Sequence, residues 1–115
     1  MIIIYHNPRC RKSREALAYL QSKVPENNIK IVEYLKNPPS FDELKEVIQK
    51  TGLKPEDIIR KNEAEYKDLY KGKNLSDDEW IKAMIEHPKI MQRPIVVNGD
   101  KAVIARPAEK IDEIL

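Results

Sequence analysis

The first 34 residues constrain the fold more than any other part of the chain. Ile2 to Tyr5 is a short apolar run that reads as a buried strand. From about residue 11 to 23 the pattern turns helical, with Ala16, Leu17, Leu20 and Val24 on one face, until Pro25 and Asn27-Asn28 break it. Ile29 to Tyr34 reads as a second strand. Strand, helix and strand within so short a stretch form a βαβ unit, so the two strands run parallel with a right-handed crossover.

The middle of the chain is helical. Asn37-Pro38-Pro39 stops the second strand, and Ser40 with Glu43 has the S-x-x-E pattern of a capping box. A helix carrying Phe41, Leu44, Val47 and Ile48 follows, ended by Gly52 and Pro55. A short helical stretch through Ile58 and Ile59 precedes Arg60-Lys61-Asn62. Ser76 and Glu79 repeat the capping pattern before a helix with Trp80 and Met84 as core residues, and His87-Pro88 ends it. The chain then returns to strands. Pro94 to Val97 and Ala102 to Ala105 flank Asn98-Gly99, a hairpin signal whose two residues both favour positive φ. Pro107 to Leu115 reads as a closing helix. The expected fold is α/β: a four-stranded mixed sheet in the order βαβ … ββα, with a helical insert (about 38–90) between the second and third strands. One domain spanning 1–115 is expected, since 115 residues make one core.

Composition narrows the function. A single cysteine rules out an internal disulfide and suits a reducing, cytoplasmic setting. The apolar start lacks a basic lead and a cleavage site, so it is read as a strand and not as a signal peptide. No apolar run approaches the roughly 20 residues of a membrane helix. A net charge of +2 gives no global footprint for nucleic acid. Three glycines leave no Gly-rich phosphate loop, and two scattered histidines with one cysteine make no zinc site.

Cys10 stands where the first strand passes into the first helix. Free backbone N–H groups and the helix dipole at such a junction favour an anion, which lowers a thiol pKa. Arg9, Arg11, Lys12 and Arg14 all lie within four positions of it. Basic residues in a first helical turn do nothing for the helix itself, which points to the thiol as their purpose. Three further arginines, Arg60, Arg93 and Arg106, fall in loops at element ends, where surface charges are ordinary. Each offers a planar fork suited to a tetrahedral oxyanion, and Pro94 and Pro107 hold the backbones of Arg93 and Arg106 extended.

Together these segments resemble the glutaredoxin-linked arsenate reductases, which have a thioredoxin-like fold. His6-Asn7-Pro8, Cys10, Ser13 and Arg14 match the active-site segment H-N-P-x-C-x-x-S-R. Asn37-Pro38-Pro39-Ser40, Arg60-Lys61-Asn62, His87-Pro88, Arg93-Pro94-Ile95-Val96 and Arg106-Pro107 match further blocks in order. The resemblance implies that Cys10 attacks arsenate and that Arg60, Arg93 and Arg106 hold the oxyanion, with Arg14, Ser13 and Asn7 lining the site. It implies that His6 helps keep Cys10 ionised and that Pro94 is a cis-proline facing the cysteine. It also implies that no cofactor or metal is bound. Glutathione and glutaredoxin would serve as external reductants for a monomer that has no resolving cysteine of its own. One departure is Arg11-Lys12, where many members have Gly-Thr; two cationic side chains would then line the anion-binding turn.

Two other readings share the sequence. One is a glutathione-dependent thiol oxidoreductase acting on mixed disulfides. The other is a non-enzymatic regulator that binds RNA polymerase, as relatives with a C-x-x-C switch do. Ser13 occupies the second position of that pair, so no disulfide switch can form there.

Overall fold

The computed structural model describes residues 1–115. In chain order the elements are β1 (Ile2–His6), α1 (Arg11–Lys23), β2 (Ile29–Glu33), α2 (Phe41–Thr51), α3 (Ala64–Leu69), α4 (Asp77–Glu86), β3 (Ile95–Asn98) and β4 (Lys101–Ile104). The sheet order is β2-β1-β3-β4. β1 pairs parallel with β2 and antiparallel with β3, and β3 pairs antiparallel with β4. This is the mixed four-stranded sheet expected of βαβ … ββα.

The period of two along the strands divides the core. Ile2 and Ile4 of β1 and Val96 of β3 face one side, where Ala16 and Leu20 of α1 pack with Ile111 and Ile114. Tyr5, Ile95, Val97 and Ala102 face the other side, against Leu44, Val47 and Ile48 of α2 and Trp80, Ile81 and Met84 of α4. The helices between β2 and β3 therefore cover one face of the sheet and α1 the other.

Four local readings need correction. At α2, the Ser40 hydroxyl accepts from the Glu43 N–H, but it also donates to the Glu43 carboxylate, so that carboxylate does not reach back to the backbone. At α4 the capping box is complete, with Ser76 and Glu79 each accepting the other's backbone N–H. The hairpin turn falls one residue late. Asn98 pairs with Lys101 as the last residue of β3, so the loop is Gly99-Asp100, and only Gly99 has positive φ (60°). The side chain of Asn98 is used elsewhere, its Nδ2 donating to the Ile114 carbonyl at 2.6 Å. The closing helix, Ala108–Ile114, is 3-10 and not α. Ile111 and Ile114 are its buried residues, and this three-residue spacing stacks them on one face of a 3-10 helix. Finally, α3 was not foreseen, because its six residues include none that is buried and so show no apolar period.

Candidate active site

Cys10 is the N-cap of α1, in extended conformation, with its N–H donating to the Asn7 carbonyl at 3.0 Å. The loop before it is closed by side chains. Asn7 Oδ1 accepts from the Arg9 N–H, and the buried Ser13 hydroxyl accepts from the Asn7 N–H, both at 3.0 Å. Ser13 also lies 2.7 Å from Nδ1 of His6, which is itself buried. Burial, with the nearby charge of Arg14, lowers the His6 pKa against the opposing pull of Glu33. A neutral imidazole accepting the Ser13 hydroxyl proton fits both facts. His6 therefore braces the loop through Ser13, and it is not among the groups that act on the thiol.

The Cys10 sulfur is half-buried. Burial alone would push its pKa up. The Ser13 backbone N–H, the Arg93 charge and the Lys12 backbone N–H together outweigh this and bring the pKa below the ordinary thiol value. The side chains of the cations adjacent in sequence are not among the leading influences on it. Arg11 and Lys12 are exposed and turn to Glu15, at 3.0 and 3.9 Å. Arg14 donates to the Pro8 carbonyl at 2.9 Å, and Arg9 is exposed. The expectation that the Arg11 and Lys12 side chains line the anion-binding turn is thus corrected: backbone N–H groups and the Arg93 guanidinium face the sulfur.

The arginines from distant segments behave differently. The residues around Ile59 and Met91 form an isolated antiparallel bridge. Around it the Arg60 N–H donates to the Ile90 carbonyl at 2.6 Å, and the Gln92 N–H to the Ile58 carbonyl at 2.7 Å. This clasp sets Arg60 next to the segment that carries Arg93. Both line a cavity of about 330 Å³ with Asn7, Arg9, Tyr34 and Lys89, and Glu63 is its carboxylate. Arg60 is tied to Glu63 at 3.0 Å and to the Lys89 carbonyl at 3.3 Å. Burial, and next the charge of Arg93, lower the Arg60 pKa. Arg93 is half-buried, and its Nε and Nη1 are shielded from solvent with no hydrogen-bond partner in the protein. Neither is the exposed loop arginine expected from the sequence. Arg106 is exposed and lines a separate cavity of about 360 Å³ with Gln92 and Lys110, although Arg60 still feels its charge. The Arg93–Pro94 and Arg106–Pro107 peptide bonds are both cis, the second without forewarning from the sequence.

Sequence reasoning missed Glu63 and Lys89, which hold Arg60, and it missed Tyr34. Tyr34 follows β2 and is 1% exposed, so its apolar neighbours gave no hint of a functional position. Yet it lies in the cavity wall, and its hydroxyl senses Arg93, Cys10, Arg60 and Glu63. Burial dominates that balance and pushes the phenol up to about 12. Tyr34 and Arg93 thus join the cysteine to the cavity. The arrangement sets an activated thiol beside two partly desolvated guanidiniums that repel each other, and a small anion between them would relieve that repulsion.

The ArsC family model matches residues 5–114 of the chain. The chain belongs to the ArsC family. It is 44% identical over 119 residues to an arsenate reductase of Haemophilus influenzae, covering 99% of this chain and 98% of that protein. It is 40% identical over 118 residues to an arsenate reductase of Neisseria meningitidis serogroup A, covering 99% and 97%. The structure of the arsenate reductase from Vibrio cholerae superposes with a TM-score of 0.91 at 44% identity, covering 99% of this chain and 97% of that one. The thioredoxin-like fold expected from the resemblance is therefore the fold of this ArsC protein. None of its helices is long and apolar enough to cross a membrane.

Proposed function

We propose that this ArsC protein reduces arsenate to arsenite through Cys10, with glutathione and glutaredoxin as external reductants. The observation that carries the reading is the Cys10 thiol, favoured as thiolate by backbone N–H groups and Arg93, next to a cavity walled by Arg60 and Arg93. The thiolate attacks arsenic(V). A sulfur–arsenic bond forms, and one arsenate oxygen leaves as water after taking up protons. Arginine donors hold the remaining oxygens as charge builds on them. Glutathione thiolate then attacks the Cys10 sulfur. A disulfide forms, and the electron pair of the sulfur–arsenic bond returns to arsenic, which departs as arsenite. Two thiols are oxidised and arsenic is reduced by two electrons. Glutaredoxin takes the glutathione from Cys10 by thiol exchange. No metal or organic cofactor enters these steps. Residues 1–115 would act as one unit and as a monomer, in the cytoplasm, where free thiols are plentiful.

The experiment is arsenite production from arsenate by the purified protein, with glutathione and glutaredoxin omitted in turn. Turnover should need both donors and vanish in Cys10→Ser with the fold intact. Turnover of a glutathione mixed disulfide, with none of arsenate, would assign the site to thiol exchange instead. Co-purification with RNA polymerase without any turnover would favour a regulator.

A further inference from the structure

Arg60 and Arg93 are the two half-buried cations of the cavity, whose wall Arg9 and Lys89 also reach, and part of the Arg60 fork is already taken by Glu63 and the Lys89 carbonyl. Another cation among them would add to the repulsion that Arg60 already feels from Arg93. Tyr34 supplies a donor without a charge. Its ring is locked in the larger core and so has one position, and it forms part of the cavity wall with Arg60 and Arg93. We infer that the Tyr34 hydroxyl is an uncharged hydrogen-bond donor to the oxyanion, placed between the two arginines and the Cys10 sulfur. This rests on the oxyanion reading of the site.

The surroundings keep that donor in its donating form. Burial resists ionisation of the phenol, as do Cys10 and Glu63, while Arg93 and Arg60 pull the other way. Arg9 and Lys89 complete the charged groups of the cavity. The net result is a proton held to about pH 12, so the hydroxyl donates throughout the range in which the thiolate forms. A donor of this kind does not compete with the arginines for the thiolate. It adds affinity where negative charge enters with the substrate.

Tyr34→Phe removes the hydroxyl and keeps the ring. Arsenate kcat/KM should fall about ten- to a hundredfold, the worth of one hydrogen bond to a charged oxygen. Protection of Cys10 by arsenate against iodoacetamide should weaken in parallel. Alkylation without arsenate should keep its rate and pH midpoint, and the melting temperature should hold. Unchanged kcat/KM in a folded Y34F protein, beside an active wild type, would overturn the inference and leave the oxyanion reading standing. A wild type that neither turns over arsenate nor is protected by it would overturn both. Should Y34F fail to fold, ring-fluorinated tyrosine at position 34 keeps the shape and makes the phenol more acidic. At neutral pH this stronger donor should raise arsenate kcat/KM and tighten the protection of Cys10, and unchanged values refute the role.

Discussion

Arg93 should be a residue whose removal makes the resting protein more stable. Its Nε and Nη1 are buried without partners, and each such group costs about 1–3 kcal/mol relative to a satisfied one. Arg93→Met keeps most of the apolar stem and discards the unpaired donors and the charge. The one compensating attraction is to the Cys10 thiolate, so the comparison belongs in a Cys10→Ser background, where that charge is absent. Incomplete filling of the site subtracts from the gain, so the double variant should exceed C10S by about 1–3 kcal/mol in urea unfolding. At this chain length each kilocalorie moves Tm by roughly 3–6 °C. Arsenate should narrow or invert the difference. It binds the C10S protein and stabilises it by about 2.7 kcal/mol at a concentration one hundred times Kd, and it should leave C10S/R93M unmoved. A loss of more than about 1 kcal/mol in the arsenate-free double variant would refute the reasoning, because Arg93 would then be holding the fold together through contacts its buried nitrogens do not make.

Iodoacetamide reactivity of wild-type Cys10 should titrate with a midpoint below 9.0, and Arg93→Met should raise that midpoint whereas Arg11→Ala and Lys12→Ala leave it in place. His6 has a folded pKa below its unfolded value of 6.5, so the unfolded chain binds more protons; stability should be whole above pH 6.5 and fall as pH drops through the folded pKa. In His6→Gln that part of the slope should vanish, as read by urea midpoints between pH 5 and 8 against wild type. Gly99→Ala meets no atom within 4 Å but forces a side chain to φ +60°, so unfolding experiments should find a loss of about 1–2 kcal/mol with activity retained.

The fold was legible because its strongest signals are local. The apolar run of β1, the helical period of α1 and the Ser76 cap each act within a few residues, and the parallel pairing of β1 with β2 follows from the first two. The errors have local causes too. Asn98-Gly99 reads as a turn pair until the pairing of Asn98 with Lys101 claims the asparagine for the strand. Ile111 and Ile114 suit an α-helix and a 3-10 helix about equally well, so their spacing does not decide between the two, and both pack with Ala16 and Leu20. At the site, motif positions named Arg60 and Arg93, which the structure sets in one cavity wall with Tyr34, and Cys10, which that cavity reaches through the charge of Arg93; Arg106, named with them, lines another cavity. Tyr34 could not be named, because a tyrosine beside Val32 at the end of a strand looks like core, and the greater part of its side chain is core.

The charge pattern around Cys10 holds a more general point. Proximity in sequence suggested that Arg9, Arg11, Lys12 and Arg14 activate the thiol. On a helix, though, side chains point outward and back toward the N-terminus, and solvent screens those that leave the surface. Arg11 and Lys12 find Glu15 one turn on, and Arg14 finds the Pro8 carbonyl. What acts on the sulfur is either rigid backbone, the Lys12 and Ser13 N–H groups, or a guanidinium that arrives from β3's leading loop already desolvated. The two contributions answer to different parts of the chain. The strand–helix junction tunes the Cys10 thiol, and the His6–Ser13–Asn7 brace keeps its shape. The clasp at Ile59 and Met91 sets Arg60 beside the segment that carries Arg93, and in the proposed function it would therefore set the size of the anion the two could share. Substitutions in the clasp should therefore change which oxyanion is bound while leaving the reactivity of free Cys10 alone, and substitutions in the brace should do the reverse.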